Sequence, residues 1–260
     1  QAAQNAFNLE IGAPFPLTFM GVNIDSLKLD AHQDGQNIVV DPVIIGFASG
    51  QAQGKVIAHV KQEKPSLDIQ ATLTGARRDQ VLQNVGYLNS FQKPFSIEGT
   101  PTSAAGAGVL SADFVGSVTL PEWSSFQGQG HMNLTEADLG QIHFFGGLSR
   151  FLESLYIPIG TLTLNEASGS FLLKNETLTF PDGEIVGPTA RIAVEGDFHI
   201  PDQSLDFQVK VYPLGRVPVL STALILFRPL SKAFQLQLNG TVETPVWQFS
   251  YLSAKTGTSH

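Results

Sequence analysis

"SLDFQVKV", Ser204 to Val211, sets Leu205, Phe207, Val209 and Val211 against Asp206, Gln208 and Lys210. That strict period of two constrains the chain more than any other feature, because side chains two apart share a face only in extended backbone. The alternation recurs from end to end. It is legible in "SLDIQATLTG", "GVLSADFVGSVTL", "GTLTLNEASGSFLLKNETLTF" and "ARIAVEGDFHI". In "VNIDSLKLDA" it slips at Asp25-Ser26, which reads as a bulge. "NIVVDPVIIGFASGQAQGKVIAHVKQ" reads as two or three strands broken at Asp41-Pro42 and at Gly50 to Gly54. Near the C-terminus, "FQLQLNGTVETPVWQFS" puts Phe234, Leu236 and Leu238, then Pro245, Trp247 and Phe249, on one side. Lys174-Asn175-Glu176, Pro181-Asp182-Gly183 and Pro201-Asp202-Gln203 supply turn chemistry between the runs. Short connections between alternating strands imply antiparallel neighbours, and so a meandering, mainly β fold.

Three stretches change period toward helix. Arg78 to Phe91 spaces Val81, Leu82, Val85 and Leu88 helically, and Glu136 to Leu155 does the same with Leu139, Ile142, Phe145, Leu148 and Leu152. The third, Val217 to Phe234, is divided by Pro229. An internal echo links the first two: each follows a strand that ends in a Leu-Thr step, Leu73-Thr74 and Leu134-Thr135. This repetition suggests two similar units along one sheet, an N-terminal module over 1–110 and a C-terminal module over 111–260.

Composition narrows the class. The 260 residues suit one large all-β domain or two smaller ones. Charged residues make up 15%, below the roughly 25% of ordinary soluble domains, and neutral amides and hydroxyls fill the wet faces. A net charge of −8 without a clustered basic patch argues against nucleic acid as a partner. With no cysteine there is no disulfide, thiolate metal site or cysteine nucleophile, a composition compatible with an oxidising compartment. "QAAQNAFNLEIG" has neither the basic nor the apolar region of a signal peptide. The longest apolar run, Val217 to Phe227, falls short of the ~20 residues that span a membrane. The chain is expected to be soluble as given, and its start in mid-pattern suggests a piece of something anchored.

Catalytic signatures are missing. "GFASG" around Ser49 has the wrong spacing for a nucleophile elbow, and no HExxH, P-loop or GxGxxG occurs. The histidines at 32, 59, 131, 143, 199 and 260 offer no i, i+2 or i, i+4 pair for a metal. His143, beside Phe144 and Phe145, reads as a packing residue. A glycosidase needs only two facing carboxylates, and Asp113, Glu122, Glu136, Asp138, Glu153 and Glu166 are candidates, but sequence brings no two of them together. The sequons at Asn133, Asn175 and Asn239 are what chance gives in a chain rich in Asn and Thr. The chain is read as non-enzymatic, with no cofactor and no metal.

A sheet with one apolar face must cover it. Either it closes into a sandwich or barrel with a dry core, or it curls into a trough whose open apolar inside is filled by a lipid or a partner. From about Ser111 to Phe249 the order of parts resembles the C-terminal region of the AsmA-like proteins, relatives of TamB, of the bacterial cell envelope. A Gly-rich strand pair leads into "MNLTEADLGQIHFFGGLSRFL". The most telling part follows at Gly187, Pro188, Gly196, Phe198, Ile200, Leu205, Asp206 and Phe207. The close at Gly240, Thr241 and Pro245 is similar to the family's final strand, and "MGVNIDSLKLDAHQDGQNIVVDPVIIGFASGQAQGKV" fits its buried strand pair before a Gly-containing hairpin.

The resemblance implies a long, curved antiparallel sheet, open along one side like a taco, with two or three short amphipathic helices and an apolar groove. It also implies a periplasmic protein, tethered to the inner membrane in its parent form, that conducts phospholipid between membranes. On that reading Phe171, Leu173, Phe198, Leu205, Phe207, Val209, Val211, Phe234, Leu236 and Leu238 line the groove, and a helix carrying Phe144, Phe145, Leu148 and Leu152 plugs one end. The competing expectation is an envelope scaffold that pairs through its sheet edges and binds no lipid. A weaker third is a carbohydrate-binding or hydrolysing sandwich, which would want a row of exposed aromatics; Trp123 and Trp247 are far apart in sequence.

Overall fold

The computed structural model describes residues 6–11, 17–19, 22–78, 80–81, 108–135, 165–188, 190–213, 234–242 and 244–249. Most of them are strand. In chain order these are β1 (Ala6–Ile11), β2 (Leu17–Phe19), β3 (Val22–Ile24), β4 (Ser26–Asp34), β5 (Asn37–Phe47) and β6 (Gly50–His59). Next come β7 (Ser66–Arg77), β8 (Val109–Thr119), β9 (Gln127–Thr135), β10 (Glu166–Lys174) and β11 (Thr177–Val186). The series ends with β12 (Ala190–His199), β13 (Ser204–Pro213), β14 (Phe234–Thr241) and β15 (Pro245–Phe249).

β1 and then β4 to β15, in chain order, form one thirteen-stranded sheet, while β2 and β3 form a separate hairpin. Every neighbouring pair is antiparallel, as the alternation and short turns require. β1 and β15 are edges that do not pair with each other, so the sheet is not closed into a barrel. The hairpins after β4, β6, β8, β10, β12 and β14 all lie at one end of the strands, called here the hairpin end. The long connections after β7, β9 and β13 all leave from the opposite end. The three helical stretches read from sequence fall in those connections. Arg78, Gln80 and Val81 take helical backbone, and Phe234, the last residue of the third, opens β14 as strand; the remainder, including Phe144, Phe145, Leu148 and Leu152, lies outside the described residues.

Three local readings are corrected. The slip at Asp25-Ser26 is a change of sheet, because Ile24 closes the small hairpin and Ser26 opens β4. Asp41-Pro42 does not end a strand: β5 runs through it with one extra residue against both neighbours. A bulge frees a residue from the ladder, which is how a proline sits inside a sheet. Pro181-Asp182-Gly183 is likewise no turn but a bulge within β11. A third bulge lies in β7 at Thr74-Gly75. The 110/111 division falls inside β8, whose pairing with β7 joins the two halves in one sheet.

Antiparallel partners share a face, so the register sorts every strand residue. One row, in pairing order, reads Phe7, Ala31, Val40, Val56, Ile69, Gly116, Gly128, Leu173, Leu178, Phe198, Leu205, Gly240 and Pro245. Each strand gives one residue and none is polar. Across the whole of this apolar face the described strands place no Asp, Glu, Lys or Arg, and one amide, Gln33. The other face carries Lys28, Gln53, Asp68, Asp113, His131, Glu195, Asp206 and Gln237, among others.

Burial is uneven along the apolar face. Toward the C-terminus a tight cluster gathers Leu134, Ile185, Ile192, Val209, Val211 and Leu236. From β4 to β8 the apolar-face residues are mostly half-buried, and Phe7 and Ile38 are 58% and 42% exposed.

Candidate functional site

The apolar face runs through every strand of the large sheet. Thirteen strands at ~4.8 Å spacing reach about 58 Å, and ten-residue strands at ~3.3 Å per residue reach about 33 Å. Its midline is built from glycine and aromatic residues. The register brings Phe114 opposite Gly130, and Gly130 opposite Phe171. A β-carbon at Gly128 would lie 2.4 Å from Phe114 Cζ, and one at Gly130 would lie 2.6 Å from Phe171 Cζ. Both rings therefore lie down over glycines instead of standing up from the sheet. They are parallel within 6° with centroids 6.3 Å apart, and Phe126 packs 5.4 Å from Phe114. Further along, Gly196 separates Phe180 and Phe207, whose rings sit 6.0 Å apart.

Of the ten groove residues read from sequence, all stand on this face, and the structure separates them by depth. Leu205, Val209, Val211, Leu236 and Leu238 are buried, Val211 and Leu236 completely. Phe171, Leu173, Phe198 and Phe207 are half-buried, and the side chain of Phe234 lies outside the description. The face is also half-buried at residues absent from that set, among them Val40, Val56, Ile69, Leu73 and Phe114. The alternation in "SLDIQATLTG" marked two of them as face residues, but nothing in it distinguishes a covered face from an uncovered one.

The polar face carries the titratable side chains of the sheet. His131, Ser170 and Asp182 come together there. The Ser170 N–H donates to Asp182 Oδ1 (2.7 Å), its hydroxyl donates to Oδ2 (2.9 Å), and His131 Nε2 stands 3.3 Å from the same hydroxyl. A catalytic serine gives its proton to the histidine, which a carboxylate orients from the far side. Here the carboxylate takes the serine proton, so the order is wrong for a nucleophile. The group ties the β11 bulge to β10: Asp182 binds the Ser170 N–H, and that bond above all holds its carboxyl below the usual range, helped by the hydroxyl and by His131.

Beside this bulge a shallow cleft of about 240 Å³ is lined by Asp182, Glu184, Arg191, Glu195 and Lys210. It is smaller than the roughly 300 Å³ at which small-molecule pockets begin, and Arg191 is engaged by Glu184 and by the Tyr212 ring. Among the acidic candidates, Glu122 pairs with Lys64 at the hairpin end, whereas Glu166 opens β10 at the opposite end. Glu136, Asp138 and Glu153 lie outside the described residues. No group of three metal-ligating side chains occurs among the described residues.

At the β12–β13 turn, the His199 ring and the Ser204 N–H bind the Asp202 carboxylate and hold its pKa down to about 2. A depressed carboxyl adds stability that is complete above its unfolded value near 4 and is lost as pH falls toward 2. Asp202→Asn is therefore expected to lower the urea midpoint at pH 7 slightly and to flatten its decline between pH 4 and pH 2.

No family model matches the chain, and neither a curated protein nor a solved structure is significantly similar to it. What the fold defines is an open, all-antiparallel meander with one charge-free face.

Proposed function

We propose that the apolar face holds phospholipid acyl chains in a trough open along one side. On this reading the protein carries no catalytic chemistry of its own and passes or positions lipid between membranes of the cell envelope. It works in the periplasm, its parent form anchored to the inner membrane. The observation that carries the reading is the charge-free face continuous through thirteen strands. Acyl chains lying on it gain about 0.8 kcal/mol per buried CH₂, and the head groups stay in water.

The placement of bulges and glycines supports a sheet curved toward that face. Sheets bend where bulges and glycines are placed in mid-strand. The bulges at 41–42 and 181–182 and the glycines at 54, 130 and 196 all fall near the middle of their strands. A β-carbon at Gly54, Gly130 or Gly196 would come within 2.3 Å of a carbonyl oxygen on the neighbouring strand. Such crowding is what the inside of a bend produces.

A scaffold that binds no lipid is the second reading, favoured by the complete burial of Val211 and Leu236. Gentle native mass spectrometry with organic extraction separates the two. Phospholipid should travel with the purified chain at a reproducible ratio and be lost on replacing Val56 and Ile69 by Asp, half-buried partners where a charge is tolerated by the fold. A clean apo mass and no uptake from phosphatidylethanolamine–phosphatidylglycerol vesicles would refute the lipid reading and leave the scaffold.

A further inference from the structure

Among the described strands β1 is an edge, and its pattern is self-complementary. Direction of hydrogen bonding and side-chain face are locked together along a strand. Asp34 and Asn37 close a two-residue hairpin around Gly35-Gln36, with Gly35 at φ +59°. A closing pair of this kind exchanges backbone hydrogen bonds. Alternation from there turns the apolar-face residues of β4 toward β1, so Phe7 and Leu9 bond to Ala31 and Leu29. The N–H and C=O groups of Ala6, Asn8 and Glu10 then point away from the sheet, and no described strand pairs with them.

Native edges are usually blunted by lysine, proline or a bulge. β1 has none of these. Its one charge, Glu10, is already drawn to Lys28 on β4 (3.6 Å). Phe7 stands 58% exposed at the rim of the apolar face.

Strand direction decides which partner fits. With thirteen strands all antiparallel, β1 and β15 run the same way. Continuing one copy into the next through unlike edges would therefore force a parallel pair. A two-fold axis perpendicular to the sheet instead sets β1 antiparallel to its own copy and keeps both apolar faces on the same side. We propose that β1 pairs with β1 of a second copy of this chain, with Asn8 opposite Asn8.

In this register Ala6 faces Glu10 of the other copy, so all three outward residues exchange both backbone bonds. On the apolar face Phe7 meets the other copy's Leu9 twice, as close non-hydrogen-bonded pairs. No like charges oppose each other. The interface closes on itself, as a two-fold contact must, and doubles the continuous apolar face. It rests on backbone geometry and holds whether or not lipid lies on that face.

The chain has no cysteine, so engineered thiols report the register without background. Asn8→Cys should oxidise to a covalent dimer. Ala6→Cys mixed with Glu10→Cys should also cross-link, while either alone should not, since like positions lie four residues apart. Asn8→Pro removes one outward N–H and leaves the β1–β4 backbone bonds intact, losing on that side only the exposed bond from the Asn8 amide to Asp30; it should weaken the dimer at least tenfold, with the melting curve shifted no more than by Asn8→Ala, which loses the same side-chain bond and keeps the N–H. A monomer in sedimentation at about 100 µM, where even weak interfaces associate, would overturn the proposal. So would cross-linking of Ala6→Cys alone as fast as the mixture, or a dimer indifferent to Asn8→Pro.

Discussion

Leu236→Asp is expected to abolish cooperative folding, whereas Ile69→Asp, on the same face of the same sheet, should leave a folded chain. Leu236 is fully buried and stands opposite Val209 in the tight C-terminal cluster. An unpaired carboxylate there loses its hydration for several kcal/mol. That is comparable with the roughly 5–15 kcal/mol that holds a domain folded. Ile69 is only half-buried and faces Val56 and Gly116. A carboxylate at that position keeps much of its water, and the loss should be about 1 kcal/mol. Circular dichroism and urea titration read the difference directly. Equal, complete loss at both positions would mean that the apolar face is one closed core from end to end, and the lipid reading would fall with it. Equal tolerance would mean that the buried cluster contributes little.

Much of this architecture is legible in the sequence because its signal is local. "SLDFQVKV" and "FQLQLNGT" carry their face assignment in every second residue, and the register pairs Leu205, Phe207, Val209 and Val211 with Gly240, Leu238, Leu236 and Phe234 accordingly. The failures share a cause. Asp41-Pro42 and Pro181-Asp182-Gly183 have turn chemistry, yet the chain goes straight on through a bulge at each. The same residues that permit a reversal also permit one extra residue in a ladder, and only the neighbouring strand decides between them. At Asp25 the reverse holds: the slip between Ile24 and Leu27 has the look of a bulge within one strand, but the chain changes sheet there. Depth is the other blind spot. Alternation in "SLDIQATL" and in "FQLQLNGT" is equally clean, yet Ile69 is half-buried and Leu236 has no exposure. What lies over a face is not written in the face, which is why a groove drawn from the C-terminal strands includes five residues that are core.

Gly130→Val is the substitution for which strand propensity and the structure predict opposite signs. Valine suits strands better than glycine by up to about 1 kcal/mol, so on propensity alone the change stabilises. A β-carbon at Gly130, however, would sit 1.9 Å from the Asp113 carbonyl oxygen and 2.6 Å from Phe171 Cζ. The ring end can swing away, but the carbonyl belongs to the backbone of β8, which pairs with β9 on that side. Relief therefore requires β8 and β9 to part. Overpacking of this kind costs typically 1–3 kcal/mol, and two further methyl groups put valine at the upper end. We expect a net loss of about 2 kcal/mol, read as a fall in melting temperature of roughly 5 °C for a chain of this size. The companion variant Phe171→Ala, which empties the ring's place over Gly130, should not rescue Gly130→Val, because the backbone contact remains. If it did, the ring and not the close approach of β8 and β9 would be what requires glycine, and the proposed curvature toward the apolar face would lose its strongest local support.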